Sequence, residues 1–176
     1  MMGGRRHNRS QTVGDVGLER LNLILWRHAH AEEVPLGWAG RDADRALTAK
    51  GLRQAQQMAV WLDARLPPDC DIVVSPALRT RQTADALRRP YRLCPAIATG
   101  ARVDDFLHAV DWPAASGTVL AVGHQPTLGG VAARLLGGRD GPLVIQRAAV
   151  WWFAVRDEGG TACVALRAVM SADLAA

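Results

Sequence analysis

The runs Leu23-Ile24-Leu25-Trp26 and Val119-Leu120-Ala121-Val122 are apolar at every position. A strand with one face in water alternates apolar and polar residues, so unbroken runs of this length fit central strands buried on both faces of a sheet. Such a sheet needs helices on both sides. Each run leads directly to a histidine: Arg27-His28 follows the first and Gly123-His124 the second. In open α/β sheets the ligand crevice lies beyond the carboxyl ends of the strands. Both imidazoles, together with Arg27, are therefore expected in one site.

The remaining pattern fills in a fold around these two strands. Residues 1 to 19 lack periodicity and are rich in Gly, Arg, Asn and Ser, the composition of a flexible N-terminal tail, and residues 20 to 176 read as one domain. The stretch from Glu32 to Ala46 carries Pro35, Gly37 and Gly40 and reads as a loop. Thr48 is placed to cap a helix whose Leu52, Ala55, Ala59 and Leu62 form a buried stripe, ended by Pro67-Pro68. Asp71 to Val74 is a strand, and Ser75-Pro76 reads as a helix start with Ser75 as the cap. Tyr91 to Cys94 is a short strand, Val103 to Val110 a short helix, and Pro126-Thr127 opens a helix that Gly137-Gly138 ends. Two further strands, Ala149 to Val155 and Ala162 to Val169, flank the hairpin signature Asp157-Glu158-Gly159-Gly160. In Trp151-Trp152-Phe153 one tryptophan ring should face in and one out, and the loop residues Trp38 and Trp112 are candidates for a docking rim. The order of elements predicts an α/β fold, a three-layer α/β/α sandwich with a mostly parallel sheet and an antiparallel edge.

Composition limits the functions open to such a domain. With 49% hydrophobic residues in 176, the chain can bury a sizeable core. The formal charge of +4 comes largely from Arg5, Arg6 and Arg9; without them, 18 basic residues face 17 acidic ones. A near-neutral body lacks the field suited to nucleic acid. No run approaches the ~20 apolar residues of a membrane span, and no apolar signal segment precedes Leu21. Cys70, Cys94 and Cys163 are far apart in sequence, which suits small core residues in a reducing compartment. The expectation is a cytoplasmic protein with neither membrane nor nucleic acid as partner.

Four residues carry the chemistry. Arg27, His28 and His124 meet at strand ends, and Arg79 falls in the first turns of the helix after Ser75-Pro76. A transferred phosphoryl group spreads charge over three oxygens and needs several cationic or N–H donors around it, with a nucleophile in line. Two arginines supply permanently charged forks for bidentate contacts. One histidine must attack as neutral imidazole, while the other is more useful protonated, as a donor to a phosphoryl oxygen. His30, Ser75 and Gln125 are candidates to line the same site, although a loop histidine such as His30 equally suits an exposed position. A metal site built from His28, His30 and His124 lacks accompanying acidic or cysteine ligands. Asp42 and Asp44 read as turn and capping residues, and Arg45 and Arg81 as ion-pair partners.

Four blocks in order, Arg27-His28-Ala29-His30-Ala31-Glu32, Asp44-Arg45-Ala46-Leu47-Thr48-Ala49-Lys50-Gly51, Ser75-Pro76-Ala77-Leu78-Arg79-Thr80-Arg81-Gln82-Thr83-Ala84 and Val122-Gly123-His124-Gln125-Pro126, resemble the histidine phosphatase superfamily. Within it they are similar to the small bacterial phosphohistidine phosphatases of the SixA type. The resemblance implies a phosphoglycerate mutase-like sandwich and a metal-independent hydrolase with no cofactor. His28 would be the nucleophile that is transiently phosphorylated, with Arg27, Arg79 and His124, the last as a stabilising cation, completing the phosphate pocket.

Two departures from the family pattern stand out. Ala29 replaces the glycine usual after Arg-His, as is common in the small branch. The glutamate or aspartate that larger members place after the third strand has no counterpart in Ala96-Ile97-Ala98-Thr99-Gly100; Asp104 and Asp105 follow as candidate proton donors. Loss of acid catalysis typically costs roughly 10²–10⁴-fold, a loss tolerable with a readily leaving imidazole, so phosphohistidine is favoured over alkyl phosphates. About forty residues between Thr83 and Gly123, and a short loop after His28, leave no chain for a lid. An open site suits a phosphorylated protein, such as a histidine phosphotransfer domain, better than a small phosphorylated metabolite. A small-molecule phosphomonoesterase or mutase of the same superfamily is the alternative, and a phosphate-binding module without turnover the alternative from another class.

Overall fold

The computed structural model describes residues 19–34, 39–138, 143–158 and 161–175. The expected tail (except Glu19), Trp38 and the Gly159-Gly160 turn lie outside them. Six strands form one sheet: β1 (Glu19–Arg27), β2 (Asp71–Val74), β3 (Arg92–Leu93), β4 (Gly117–Gly123), β5 (Val150–Glu158) and β6 (Thr161–Met170), in the spatial order β3-β2-β4-β1-β5-β6. β3, β2, β4 and β1 run parallel, while β5 is antiparallel to β1 and β6 to β5. This is the mostly parallel sheet with an antiparallel edge that the sequence predicts.

Among the described residues, four α-helices cover the two faces. α1 (Ala49–Asp63) and α2 (Leu78–Asp85) pack on one side with Ile24, Trp26, Ile72, Val74, Leu120 and Val122; α3 (Val103–Ala109) and α4 (Thr127–Leu135) pack on the other with Leu21, Leu23, Leu25, Val73, Val119 and Ala121. Successive residues of β1 and β4 thus enter opposite cores, which is why those runs have no polar face. Trp151 and Trp152 follow the same rule. Trp152 joins the α1 side and Trp151 packs against the α3/α4 side, so the expectation of one ring facing out does not hold. Trp112 also packs against the second core rather than standing on a rim.

Helix boundaries follow local chemistry, with two corrections. The Thr48 hydroxyl accepts from Gly51 N at 3.0 Å and caps α1, and Gly137, at φ +75°, sits just past α4 in the conformation that favours glycine. The buried stripe of α1 is Gly51, Ala55, Met58, Ala59 and Leu62; Leu52, one residue or about 100° round the helix, is 44% exposed. Ser75 does not cap α2, which begins at Leu78 after Ala77. Its hydroxyl instead meets a histidine.

The register brings three strand ends together. Trp26 and Val74 both pair with Val122 of β4, and beyond these pairs His28 N donates to Gly123 O at 3.1 Å and Ser75 N to Val122 O at 3.1 Å. His28, Ser75 and His124 are consequently neighbours at the carboxyl edge of the sheet.

Candidate active site

The loop after β1 is held from several directions. Ala29 N donates to Thr83 Oγ1, His30 N to Gln54 Oε1 and Thr48 N to His30 O, while Ala148 N donates to His28 O. Gly51 presses against the same loop: a Cβ there would lie 2.0 Å from His30 O, so only glycine fits. His28 Nδ1 is 2.8 Å from Ala29 O. A carbonyl can only accept, so Nδ1 carries the proton and Nε2 keeps its lone pair. The backbone of the next residue thereby sets the tautomer a nucleophile needs.

His124 lies beside it, with ring centroids 5.3 Å apart and planes at 55°. Its Nε2 is 2.7 Å from Ser75 Oγ and 3.5 Å from Thr99 Oγ1. Both imidazoles are buried, at 8% and 3% exposure. Burial is the main reason that the His28 pKa falls to about 4, with Arg79, Arg27 and Arg45 adding repulsion against the Ala29 carbonyl, which acts to raise it. Burial, then Arg79 and His28, lowers His124 to about 3. Instead of the expected division into one neutral and one cationic histidine, both imidazoles are neutral at pH 7. The positive charge comes from arginine alone.

Arg79 is 2% exposed, an unusual position for a guanidinium. It donates from Nη1 to Asp42 O (2.6 Å) and from Nη2 to Asp42 Oδ2 (2.7 Å) and Thr99 Oγ1 (2.9 Å). Arg27 Nη1 donates to Ile145 O at 2.7 Å, and Gln125 Nε2 holds the same segment through Leu143 O at 2.6 Å. Burial, and then Arg147, lower the Arg27 pKa from its ordinary value. The cavity among these groups has a volume of about 250 Å³. Arg27, His28, Arg79, His124 and Gln125 line it, together with Ala31, Asp42, Arg45, Thr99 and Arg147.

Several candidates are placed elsewhere. His30 turns its Nδ1 to Thr48 Oγ1 at 3.0 Å, at the start of α1. Ser75 is fully buried beneath His124 and supports it without lining the cavity. Asp104 pairs with Arg134 and is 65% exposed, and Asp105 lines a neighbouring surface cavity, next to His108, that meets the pocket only through Thr99. The structure does not bring either carboxylate into the pocket as a proton donor; both face outward on α3. No group of three or more His, Cys, Asp or Glu among the described residues is arranged to hold a metal ion.

Asp42 is the pocket's carboxylate. It sits on a 3-10 turn, Asp42–Asp44, that folds over Arg79. Burial works against its charge, but hydrogen bonds from Arg45 and Arg79 prevail and hold its pKa below the ordinary value. It is ionised at neutral pH and has no proton to give. Its sequence reads as an ordinary turn, so only the fold discloses it. Thr99 lies in the stretch Ala96 to Gly100, which has no carboxylate, and offers the pocket a hydroxyl. Arg147 carries no sequence signal at all.

Comparison with known proteins fits this geometry. The profile of the histidine phosphatase superfamily (branch 1) matches residues 23–100. A solved structure provisionally assigned as phosphohistidine phosphatase SixA of Nakamurella multipartitia is 30% identical, with 88% of this chain and 97% of that chain covered at a TM-score of 0.69. This chain belongs to the histidine phosphatase superfamily. An uncharacterised protein of Mycobacterium tuberculosis is 34% identical over 111 residues, 60% of this chain, and the match spans 66% of that protein's length. A phosphoserine phosphatase of Entamoeba histolytica, solved with 3-phosphoglyceric acid, shares the fold at a TM-score of 0.60 and 17% identity, covering 86% and 97% of the two chains.

Proposed function

We propose that this protein is a phosphatase that removes the phosphoryl group from protein phosphohistidine, through a covalent phosphohistidine intermediate on His28. The observation that carries this reading is the fixed tautomer of His28: its Nε2 keeps its lone pair beside an arginine-lined pocket whose lining carboxyl group, Asp42, is ionised. Attack by Nε2 on phosphorus forms the N–P bond as the bond to the leaving nitrogen breaks. The leaving imidazole takes its proton from solvent, and water then cleaves the His28 phosphoramidate to give inorganic phosphate and neutral His28.

Arg27 and Arg79 stabilise the equatorial oxygens throughout. An arriving phosphoryl dianion favours a proton on His124 against both burial and the repulsion of Arg79, and the protonated ring is a donor to a phosphoryl oxygen. The ionised Asp42 cannot protonate an alkoxide, which supports a phosphoramidate over an alkyl ester. The SixA assignment of the Nakamurella protein supports the same substrate class. A phosphorylated histidine phosphotransfer domain is the partner that fits.

The test is phosphate release from such a domain and from a panel of phosphomonoesters, with EDTA present. The expected result is rapid loss of phosphohistidine and slow ester hydrolysis. Efficient ester turnover with the phosphoprotein untouched assigns a small-molecule phosphatase, and release from neither substrate class a binding module.

A further inference from the structure

A guanidinium offers two two-pronged edges to an oxyanion, Nη1 with Nη2 and Nη2 with Nε. On Arg79 Asp42 fills the first edge, its backbone oxygen on Nη1 and its Oδ2 on Nη2. Thr99 Oγ1 takes the remaining Nη2 proton, and Nε is buried without a partner. Neither edge has both prongs free, so a phosphoryl group reaches Nη2 of Arg79 only by displacing the Asp42 carboxylate or Thr99. The Asp42 carboxylate is the one able to move, giving up its Nη2 prong while its backbone oxygen keeps Nη1: its side chain is 49% exposed, and its second oxygen, Oδ1, already pairs with Arg45 Nη2 at 2.7 Å. Leaving Arg79 therefore does not leave the carboxylate without a cation.

Resting on the phosphatase reading above, we propose that Asp42 is a specificity-determining residue, an internal anion on Arg79 that the incoming phosphoryl group displaces. A tethered carboxylate competes at a high effective concentration. A free carboxylate ligand brings the same charge and geometry and gains nothing by the exchange, whereas a phosphoryl dianion offers a second charge and a third oxygen. Asp42 thus excludes monoanionic carboxylates from the arginine pocket. It also weakens the hold on inorganic phosphate after hydrolysis, since the carboxylate returns to Arg79 as the product leaves.

The test is calorimetric titration of inorganic phosphate into wild type and Asp42→Asn, with turnover of a phosphohistidine domain measured in parallel. Removing the competing charge should tighten phosphate binding about tenfold. KM should fall, and kcat should fall with it as product release slows. Asp42→Ser should behave alike, and urea midpoints verify that both variants are folded. Unchanged or weaker phosphate binding in folded variants, with wild type binding normally, overturns the proposal and leaves the phosphatase reading standing. Absence of phosphate binding in all three proteins overturns that reading and this proposal together.

Discussion

Acid should destabilise this protein through the two histidines of its pocket. In the unfolded chain each titrates near 6.5, while in the folded protein burial and the arginine field hold His28 at about 4 and His124 at about 3. Above pH 6.5 both states are neutral at these positions and the groups contribute no pH dependence. Between 6.5 and the folded values the unfolded chain binds protons that the folded chain refuses, so stability falls as pH falls. At pH 5 the unfolded histidine has gained about 1.5 pH units of protonation free energy. At ~1.4 kcal/mol per unit this is about 2 kcal/mol for each histidine, large against a total of ~5–15 kcal/mol. Urea unfolding at pH 7 and pH 5 measures the loss, and the same pair of measurements on His28→Ala/His124→Ala subtracts every other titrating group. The wild type should lose several kcal/mol more than the double variant. Equal losses would show that the histidines are not held neutral, refuting the charge assignment on which nucleophilic attack depends.

Other substitutions test the supporting geometry. Gly51→Ala improves helix propensity by about 1 kcal/mol, yet places a Cβ 2.0 Å from the His30 carbonyl. Overpacking against backbone should turn that gain into a net loss of about 2 kcal/mol in urea unfolding, with reduced turnover because the same loop carries His28. Asp104→Asn and Asp105→Asn should each leave the rate of phosphate release within about twofold of wild type, as exposed residues that do not line the pocket do.

The elements that were legible in the sequence are those whose period is imposed by the two cores. β1 and β4 could be placed because every residue in their apolar runs enters one core or the other, and the residue after each strand could be assigned to one edge by topology alone. Arg27, His28 and His124 follow from that, whereas Arg79 follows from its place in the helix after Ser75-Pro76. Failures arose where a residue's local signal competed with a distant partner. Ser75-Pro76 has the chemistry of a helix cap, but the hydroxyl serves His124, 49 residues away, and the helix starts later. Asp42 has the chemistry of a turn, and its bond to Arg79 spans 37 residues. Asp104 and Asp105 have the right position after the third strand, whereas the orientation of α3, unreadable from a seven-residue helix, turns them to solvent.

The claim on which the account rests is that the phosphoryl group passes through Nε2 of His28. Mixing the protein with a radiolabelled phosphohistidine domain, quenching in alkali within milliseconds and digesting the chain locates any covalent phosphate directly. The prediction is label on the peptide containing Arg27-His28-Ala29, stable in alkali, lost in acid and absent from His28→Ala. Dephosphorylation by His28→Ala at the wild-type rate, or label carried by any other residue, would contradict it.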